Sequence, residues 1–135
     1  MNREEQIRFA AYQVMELGKM EVVPEVFATE YVAHAGERTY KGYAFIRRFS
    51  KQMKTALPDV KVKKVEVLVQ TEDTVTWQRT LVGTHQENMM SIPASGKQIE
   101  WVDMVVSRFQ DGLIVEEWVV SELMGELLVK RPKTK

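Results

Sequence analysis

The chain has 135 residues, a length typical of one domain with a single core. Its 19 Lys and Arg residues balance its 19 Asp and Glu residues, which argues against a basic surface for nucleic acid or an anionic membrane. The absence of cysteine excludes disulfides, thiolate metal ligands and a cysteine nucleophile. The 2 histidines lie far apart in sequence, so no dedicated metal site is expected.

Both ends of the sequence are charged. The opening residues, MNREEQIRF, contain no apolar core of signal-peptide length. No run approaches the roughly 18 apolar residues that a membrane span needs, so a cytoplasmic location is expected. We expect one domain over residues 1–128, followed by a basic, poorly ordered tail over 129–135.

Three helices are predicted in the first 57 residues. Asn2 can cap the first, with Glu5 three residues later as the reciprocal partner of a capping box, and apolar residues at helical spacing extend it over about 3–17. Pro24 suits the first turn of a short second helix. The clearest helix covers 42–57, because its apolar residues form one stripe and a proline follows it.

Strand periodicity replaces helical periodicity after the third helix. The valines of 60–69 change phase once across Lys63-Lys64, which predicts a β-bulge. A second strand is predicted over 74–85, and an earlier extended piece has His34 near its end. Residues 86–96 indicate a loop or a short edge strand.

Residues 97–125 predict a long antiparallel hairpin. Asp111-Gly112 separates two runs rich in Val, Ile, Met and aromatic residues, and a two-residue Asp-Gly link between such runs is a strong hairpin signal. Side chains alternate along a strand, so the second strand has two faces. One face carries Ile114, Glu116, Trp118, Val120 and Glu122, and the other carries Leu113, Val115, Glu117, Val119 and Ser121.

Glu122 is the candidate proton carrier on the first of these faces. A carboxyl beside tryptophan and aliphatic side chains is desolvated, which raises its pKa toward neutral pH and suits it to proton transfer. The alternative is a half-buried strand whose glutamates lie at its solvated ends.

The order of helices followed by strands is typical of an α+β fold. The helices are expected to cover one face of a curved, mainly antiparallel sheet, which leaves a cone-shaped barrel with a pocket inside. Trp77, Trp101 and Trp118 lie on three different predicted strands, more large side chains than a core of this size requires.

Several segments resemble one known family. They are YVAHAG at 31–36, ALPDV at 56–60, GTHQENMMSIPASGK at 83–97, RFQDGLIVEEW at 108–118 and the end at 122–125. Together they resemble the SnoaL-like polyketide cyclases, also called ester cyclase-like, of the nuclear transport factor 2-like superfamily, over roughly residues 5 to 128. The resemblance implies a cone-shaped α+β barrel that holds an apolar substrate and closes a ring by intramolecular aldol condensation, without metal or organic cofactor.

The resemblance also implies site residues. An acidic residue four positions after a strand tryptophan is the family's acid/base, which corresponds here to Glu122 after Trp118, with glutamate in place of the family's aspartate. Arg108 falls where the cyclases carry a histidine, and His34 falls where the family places a polar residue beneath the pocket. These residues form the implied catalytic group. The implied substrate contacts are Trp118, Trp77, His85, Met104, Val106, Val120 and Glu116.

Other roles remain open for three of these residues. His34 is also compatible with a hydrogen-bonded histidine in the core or at the pocket rim, and His85 with holding the loop that follows it. Arg108 is also compatible with an ion pair to Glu116.

Three functions remain open. The first is a cofactor-free enzyme, of aldol cyclase or isomerase type, acting by acid/base chemistry on an apolar carbonyl or polyketide-like substrate. The second is a protein that binds a small hydrophobic ligand without converting it, which the aspartate-to-glutamate departure favours. The third is an interaction module that dimerises through its open sheet face, and a homodimer is expected. An epoxide-hydrolase-like Asp-Arg-Asp site would need Asp103 and Arg108 together, but their spacing along a strand places them on opposite faces.

Overall fold

A computed structural model describes residues 1–128. The predicted basic tail, 129–135, lies outside the described residues. Helix α1, Arg3–Ala10, begins at the predicted capping box: the Asn2 side chain accepts from the Glu5 N–H, and the Glu5 carboxylate accepts from the Asn2 N–H. The chain continues as a π-helical segment over Ala11–Glu16, so the predicted first helix is confirmed in extent.

The next two helices also form where the sequence predicts them. A 3₁₀ turn, Met20–Val22, leads into the short α2, Val23–Val26, with a proline in its first turn. Helix α3, Gly42–Ala56, confirms the prediction for 42–57 to within one residue. Its stripe of apolar residues packs into the core.

Six strands form one curved, mixed sheet in the order β2-β1-β6-β5-β4-β3. Neighbouring strands are antiparallel except for β1 and β6, which are parallel. The edge strand β2 and a short helix α4, Leu123–Leu128, were not predicted. The strands are β1 Phe27–Ala35, β2 Arg38–Lys41, β3 Lys61–Gln70, β4 Thr74–Thr84, β5 Gln98–Gln110 and β6 Leu113–Ser121.

Register shifts interrupt the pairing of β1 with β6, of β3 with β4 and of β5 with β6. The register between β3 and β4 shifts between Val62 and Lys64, which confirms the predicted bulge. A second bulge was missed: Arg108 pairs with Glu116 while Phe109 pairs with Ile114, so Val115 is the extra residue on β6. Ile114 is therefore buried on the same side as Glu117, and its predicted place on the face of Glu116 is wrong.

The core lies between the helices and one face of the sheet. Buried side chains from α1, the π-helical segment and α3 meet buried side chains from β4, β5 and β6, among them Trp77, Trp101 and Val105. The other sheet face carries half-exposed residues, including Met104 and Trp118. None of the helices within residues 1–128 is long and apolar enough to cross a membrane.

Candidate functional site

A cavity of about 1120 Å³ lies between the helices and the inner face of the sheet. This volume is slightly above the range of most small-molecule pockets, roughly 300 to 1,000 Å³. Most of its wall is apolar. Strands β1, β4, β5 and β6 contribute one group of polar side chains to it, and β2 and α3 contribute others, among them Arg38, Arg48 and Ser50. Among the residues of the wall are Ile7, Val14, Met53, Ile114 and Val119, together with Tyr31, Trp77, Arg79, Trp101, Asp103 and Glu117.

Glu117 is the buried carboxyl at the centre of a hydrogen-bond network in this wall. Its side chain accepts from the Tyr31 hydroxyl at 2.6 Å and, on the other oxygen, from the Ser107 hydroxyl. Ser107 in turn accepts from the indole Nε1–H of Trp77 at 2.9 Å. The network crosses four neighbouring strands, β1, β6, β5 and β4, so the order of strands in the sheet assembles it.

Burial shifts the protonation of this network. Desolvation is the largest effect on Glu117 and raises the pKa of its carboxyl, although the Ser107 and Tyr31 hydroxyls and the charge of Arg79 act in the opposite direction. Burial, followed by the nearby Glu117 charge, raises the pKa of Tyr31 well above 10.0. Tyr31 therefore remains a proton donor in its hydrogen bond, and Glu117 is the group in this network whose charge can change as pH rises.

Arg79, which is partly buried, and Asp103, which is buried, form an ion pair in the same wall. They face each other across β4 and β5, and Arg79 Nε lies 2.8 Å from Asp103 Oδ2. The guanidinium carbon lies 5.4 Å from the centre of the Trp77 ring, within the range of a cation–π contact. The cavity thus contains one carboxylate paired with a cation and one carboxyl, Glu117, whose hydrogen-bond partners are hydroxyl groups.

Glu122 lies outside the cavity, and its expected burial is wrong. It follows the last residue of β6 and is exposed. Its carboxylate accepts from the backbone N–H of Val102 at 3.2 Å, and its own N–H donates to the Val102 carbonyl at 3.1 Å. Glu122 was expected on the face of β6 that carries Glu116, Trp118 and Val120. That face is the outer face of the sheet, so Glu122 is not buried in the cavity.

The other two implied catalytic residues form a cluster on that outer face. His34 Nε2 lies 2.7 Å from one oxygen of Glu116, and Arg108 Nε lies 3.0 Å from the other. The His34 ring stacks on Trp118, with ring centres 5.2 Å apart. The hydrogen bond from His34, followed by that from Arg108, lowers the pKa of Glu116. The predicted Arg108–Glu116 pair is confirmed, and neither His34 nor Arg108 lines the cavity.

The implied substrate contacts are divided between the two faces. Trp77 lines the cavity, and Val120 lies at its edge although it is 72% exposed. Met104, Val106 and Trp118 lie on the outer face, where Val106 pairs with Trp118 and Met104 with Val120. Ser107 and Glu117 point inward, and successive side chains of a strand point to opposite faces. Their neighbours Val106 and Trp118, and Met104 two residues before Val106, therefore point outward.

His85 is buried and does not line the cavity. Its backbone N–H donates to the Lys97 carbonyl at 2.9 Å, and its carbonyl accepts from the Gly96 N–H at 2.8 Å. Ser95 Oγ lies 3.4 Å from His85 Nδ1. These contacts support the interpretation that His85 holds the loop that follows it.

Sequence reasoning missed three polar residues of the cavity wall, Tyr31, Arg79 and Glu117, and it considered Asp103 only for the epoxide-hydrolase-like site. One signal was available: Arg79 interrupts an otherwise apolar strand face with Val75, Trp77 and Leu81. A charge in such a position needs a partner on a neighbouring strand. That partner is Asp103, which lies on the inner face while Arg108 lies on the outer one, as the spacing predicts.

No group of three His, Cys, Asp or Glu side chains within residues 1–128 is arranged to hold a metal ion. The polar groups of the cavity can instead exchange protons and hydrogen bonds with an organic molecule.

Comparisons with known proteins agree with this architecture. IdmH from Streptomyces antibioticus, a proposed polyketide cyclase, is 26% identical with a TM-score of 0.74, over 94% of this chain and 96% of that one. A proposed polyketide cyclase from Acidithiobacillus ferrooxidans is 22% identical with a TM-score of 0.77, over 91% and 89%. AclR from Streptomyces galilaeus, a proposed hydroxylase, is 22% identical with a TM-score of 0.73, over 96% and 86%.

These neighbours share the nuclear transport factor 2-like fold with this chain. No curated protein matches the chain. The model of the SnoaL-like polyketide cyclase family matches residues 5–128, nearly the whole of the described structure. The chain therefore belongs to the SnoaL-like polyketide cyclase family.

Proposed function

We propose that this protein binds an apolar carbonyl compound in its cavity and transfers a proton with Glu117 as the acid/base. The observation that carries the proposal is a buried carboxyl with a raised pKa in the wall of a largely apolar cavity. A carboxyl with a pKa closer to neutral is a better proton carrier at physiological pH than an ordinary glutamate. Membership of a polyketide cyclase family supports a carbonyl compound as the substrate.

The proposed step removes a proton from the carbon next to the carbonyl group. The proton moves to Glu117, and the electron pair of the broken C–H bond moves onto the carbonyl oxygen as an enolate. The terminal N–H groups of Arg79, which lines the same cavity, would donate hydrogen bonds to that oxygen. Return of the proton at another carbon would give an isomerase. Attack of the enolate carbon on a second carbonyl of the same molecule, whose oxygen then takes the proton from Glu117, would give a cyclase.

Proton exchange at a ketone tests this step without the natural substrate. With 2-acetonaphthone in deuterated buffer, we expect the protein to accelerate exchange of the methyl hydrogens, followed by NMR. Glu117→Gln should lower that acceleration by about 100-fold or more, the usual contribution of general acid–base catalysis. The matched control is Glu122→Gln.

The two variants also separate the two candidate residues. Exchange that survives Glu117→Gln but is lost in Glu122→Gln would contradict the role of Glu117 and favour the residue implied by family resemblance. Thermal midpoints of both variants show whether either loss comes from unfolding.

A binding protein without catalysis is the second candidate. Both oxygens of Glu117 already accept hydrogen bonds from protein hydroxyls, so the network is complete without a ligand. This candidate predicts that 2-acetonaphthone binds to the protein while its methyl hydrogens exchange no faster than in buffer.

We also propose a homodimer formed through the outer face of the sheet. The outer-face patch, defined as Met104, Val106, Trp118 and Val120, is apolar and continuous across β5 and β6. Met104 and Trp118 are each about 40% exposed in the monomer. An apolar patch of this kind, flanked by the charged His34–Glu116–Arg108 cluster, has the pattern of an interface core with a polar rim.

A further inference from the structure

Two buried polar atoms in the cavity wall lack a partner. Asp103 Oδ1 and Trp101 Nε1 make no hydrogen bond within the part of the chain that the structure describes. The Asp103 side chain is 4% exposed and Trp101 is 1% exposed. Buried polar atoms in folded proteins nearly always have a partner, so each such atom points to a missing donor or acceptor.

The two atoms belong to one part of the wall. Trp101 and Asp103 are two residues apart on β5, so their side chains share its inner face. Both line the cavity, as does Arg79, which lies opposite Asp103 on β4. Only the Nε of Arg79 bonds to Asp103, among the contacts of the described residues, so the terminal nitrogens of the guanidinium remain available.

The chemistry of these groups defines what they can bind. An ionised Asp103 Oδ1 only accepts and therefore requires a donor, whereas Trp101 Nε1 and the guanidinium only donate and therefore require an acceptor. A ligand carboxylate would supply the acceptor but no donor, and it would meet the negative charge of Asp103. Because Asp103 already neutralises Arg79, this part of the wall offers no uncompensated positive charge to an anion, and the other two arginines among the wall residues, Arg38 and Arg48, lie on β2 and α3.

We infer that Arg79, Asp103 and Trp101 form a polar subsite that takes a neutral head group with a donor next to an acceptor, such as a hydroxyl or a primary amide, on an apolar body. The inference rests on the proposed function only in assuming that the cavity binds a ligand. It adds the chemical class of that ligand. Carboxylic acids, which are ionised at neutral pH, are excluded from the subsite.

Three probes with the same naphthalene body test the inference. 2-Naphthamide offers a donor and an acceptor, 2-acetonaphthone offers only an acceptor, and 2-naphthoate offers an anionic acceptor. In equilibrium dialysis at pH 7.5, we expect the wild-type protein to bind 2-naphthamide about tenfold more tightly than either of the others, the size expected for one hydrogen bond to a charged group.

Two variants identify the atoms responsible. Asp103→Asn leaves Arg79 without its counter-charge, so the preference should reverse, with 2-naphthoate binding more tightly than 2-naphthamide. Trp101→Phe removes the indole N–H while keeping an aromatic side chain, and it should weaken 2-naphthamide binding several-fold. The matched control is Asp59→Asn, because Asp59 is exposed and its hydrogen-bond partner within residues 1–128 is Thr84.

Each outcome decides the inference. Equal affinity for the three probes, or no binding of any of them, overturns it and assigns the two atoms to water. Should Asp103→Asn fail to fold, the affinities of the wild-type protein for the three probes and the effect of Trp101→Phe still test the inference. A retained amide preference with no proton exchange at 2-acetonaphthone would overturn the proposed catalysis alone, so the two failures are distinguishable.

Discussion

At the scale of single residues, the environment of a carboxyl decides its chemistry. Glu117 and Glu122 lie on the same hairpin, five residues apart in sequence. Glu117 is buried among apolar side chains and hydroxyl donors, and its pKa is raised. Glu122 lies in solvent at the end of β6 and bonds to backbone. The proposed proton carrier is therefore the residue whose charged form is desolvated.

The raised pKa of Glu117 predicts how stability depends on pH. Because the folded state binds this proton more tightly than the unfolded state, the stabilising contribution is complete below the unfolded pKa of about 4.3 and is lost as pH rises through the higher folded pKa. The free energy of unfolding of the wild type, relative to Glu117→Gln, should fall by up to about 1.4 kcal/mol per pH unit in that window.

Urea denaturation of both proteins between pH 4 and pH 8 measures this difference. Glu116, whose lowered pKa acts in the opposite direction, is present in both proteins and cancels. A difference between the two proteins that does not change with pH would contradict a raised pKa for Glu117.

At the scale of secondary-structure elements, local signals predicted most of the fold. Caps, apolar spacing and the Asp-Gly turn located three helices and the long hairpin, because each depends on neighbouring residues. The four residues of β2 were too short to give a pattern, and the parallel pairing of β1 with β6 joins residues more than 80 positions apart. No local pattern marks such a pairing.

The candidate site was harder to predict than the fold. Both faces of β6 mix apolar side chains with a glutamate, Trp118 and Val120 with Glu116, and Val115 and Val119 with Glu117. Alternation separated the two faces correctly from Glu116 to Val120, but it misplaced Ile114 and gave no indication of which face points inward. The bulge at Val115 changes the alternation of β6, so that Ile114 points into the core on the same side as Glu117.

The turn of the hairpin provides a test at this scale. Asp111 and Gly112 have φ of 52° and 79°, the left-handed values of a type I′ turn. Gly112→Ala should lower the free energy of unfolding by about 1 kcal/mol through backbone strain alone, because no atom of the described residues, chain neighbours aside, lies within 4 Å of the added Cβ. Urea denaturation measures it.

The matched control for the turn is Gly125→Ala. Gly125 lies inside α4 and has no positive φ, and apart from its own helix backbone and chain neighbours no atom of the described residues lies within 4 Å of an added Cβ. Alanine should there increase stability by about 0.5–1 kcal/mol. Equal effects of the two substitutions would contradict the assignment of strain to the turn.

At the scale of the whole molecule, the two faces of the sheet carry different sites. The inner face holds the cavity with Glu117 and the Arg79–Asp103 pair, and the outer face carries the apolar outer-face patch beside a charged cluster. The residues implied by family resemblance lie mostly on the outer face, where a second copy of the chain is the proposed partner.

Sedimentation velocity tests the dimer. We expect the wild type to sediment as a dimer and Met104→Glu to sediment as a monomer, because a charge at the centre of the outer-face patch must be desolvated on association. The matched control is Leu68→Glu, on the edge strand β3, which should remain dimeric. A wild-type monomer at micromolar concentration would contradict the proposal.

The most direct test of the central claim is the protonation of Glu117 itself. With the side-chain carboxyl carbons of glutamate labelled with ¹³C, NMR titration gives each carboxyl its own midpoint, and Glu117→Gln identifies the resonance. We predict that the Glu117 midpoint lies above the ordinary glutamate value of about 4.3. A midpoint at or below that value would contradict the account.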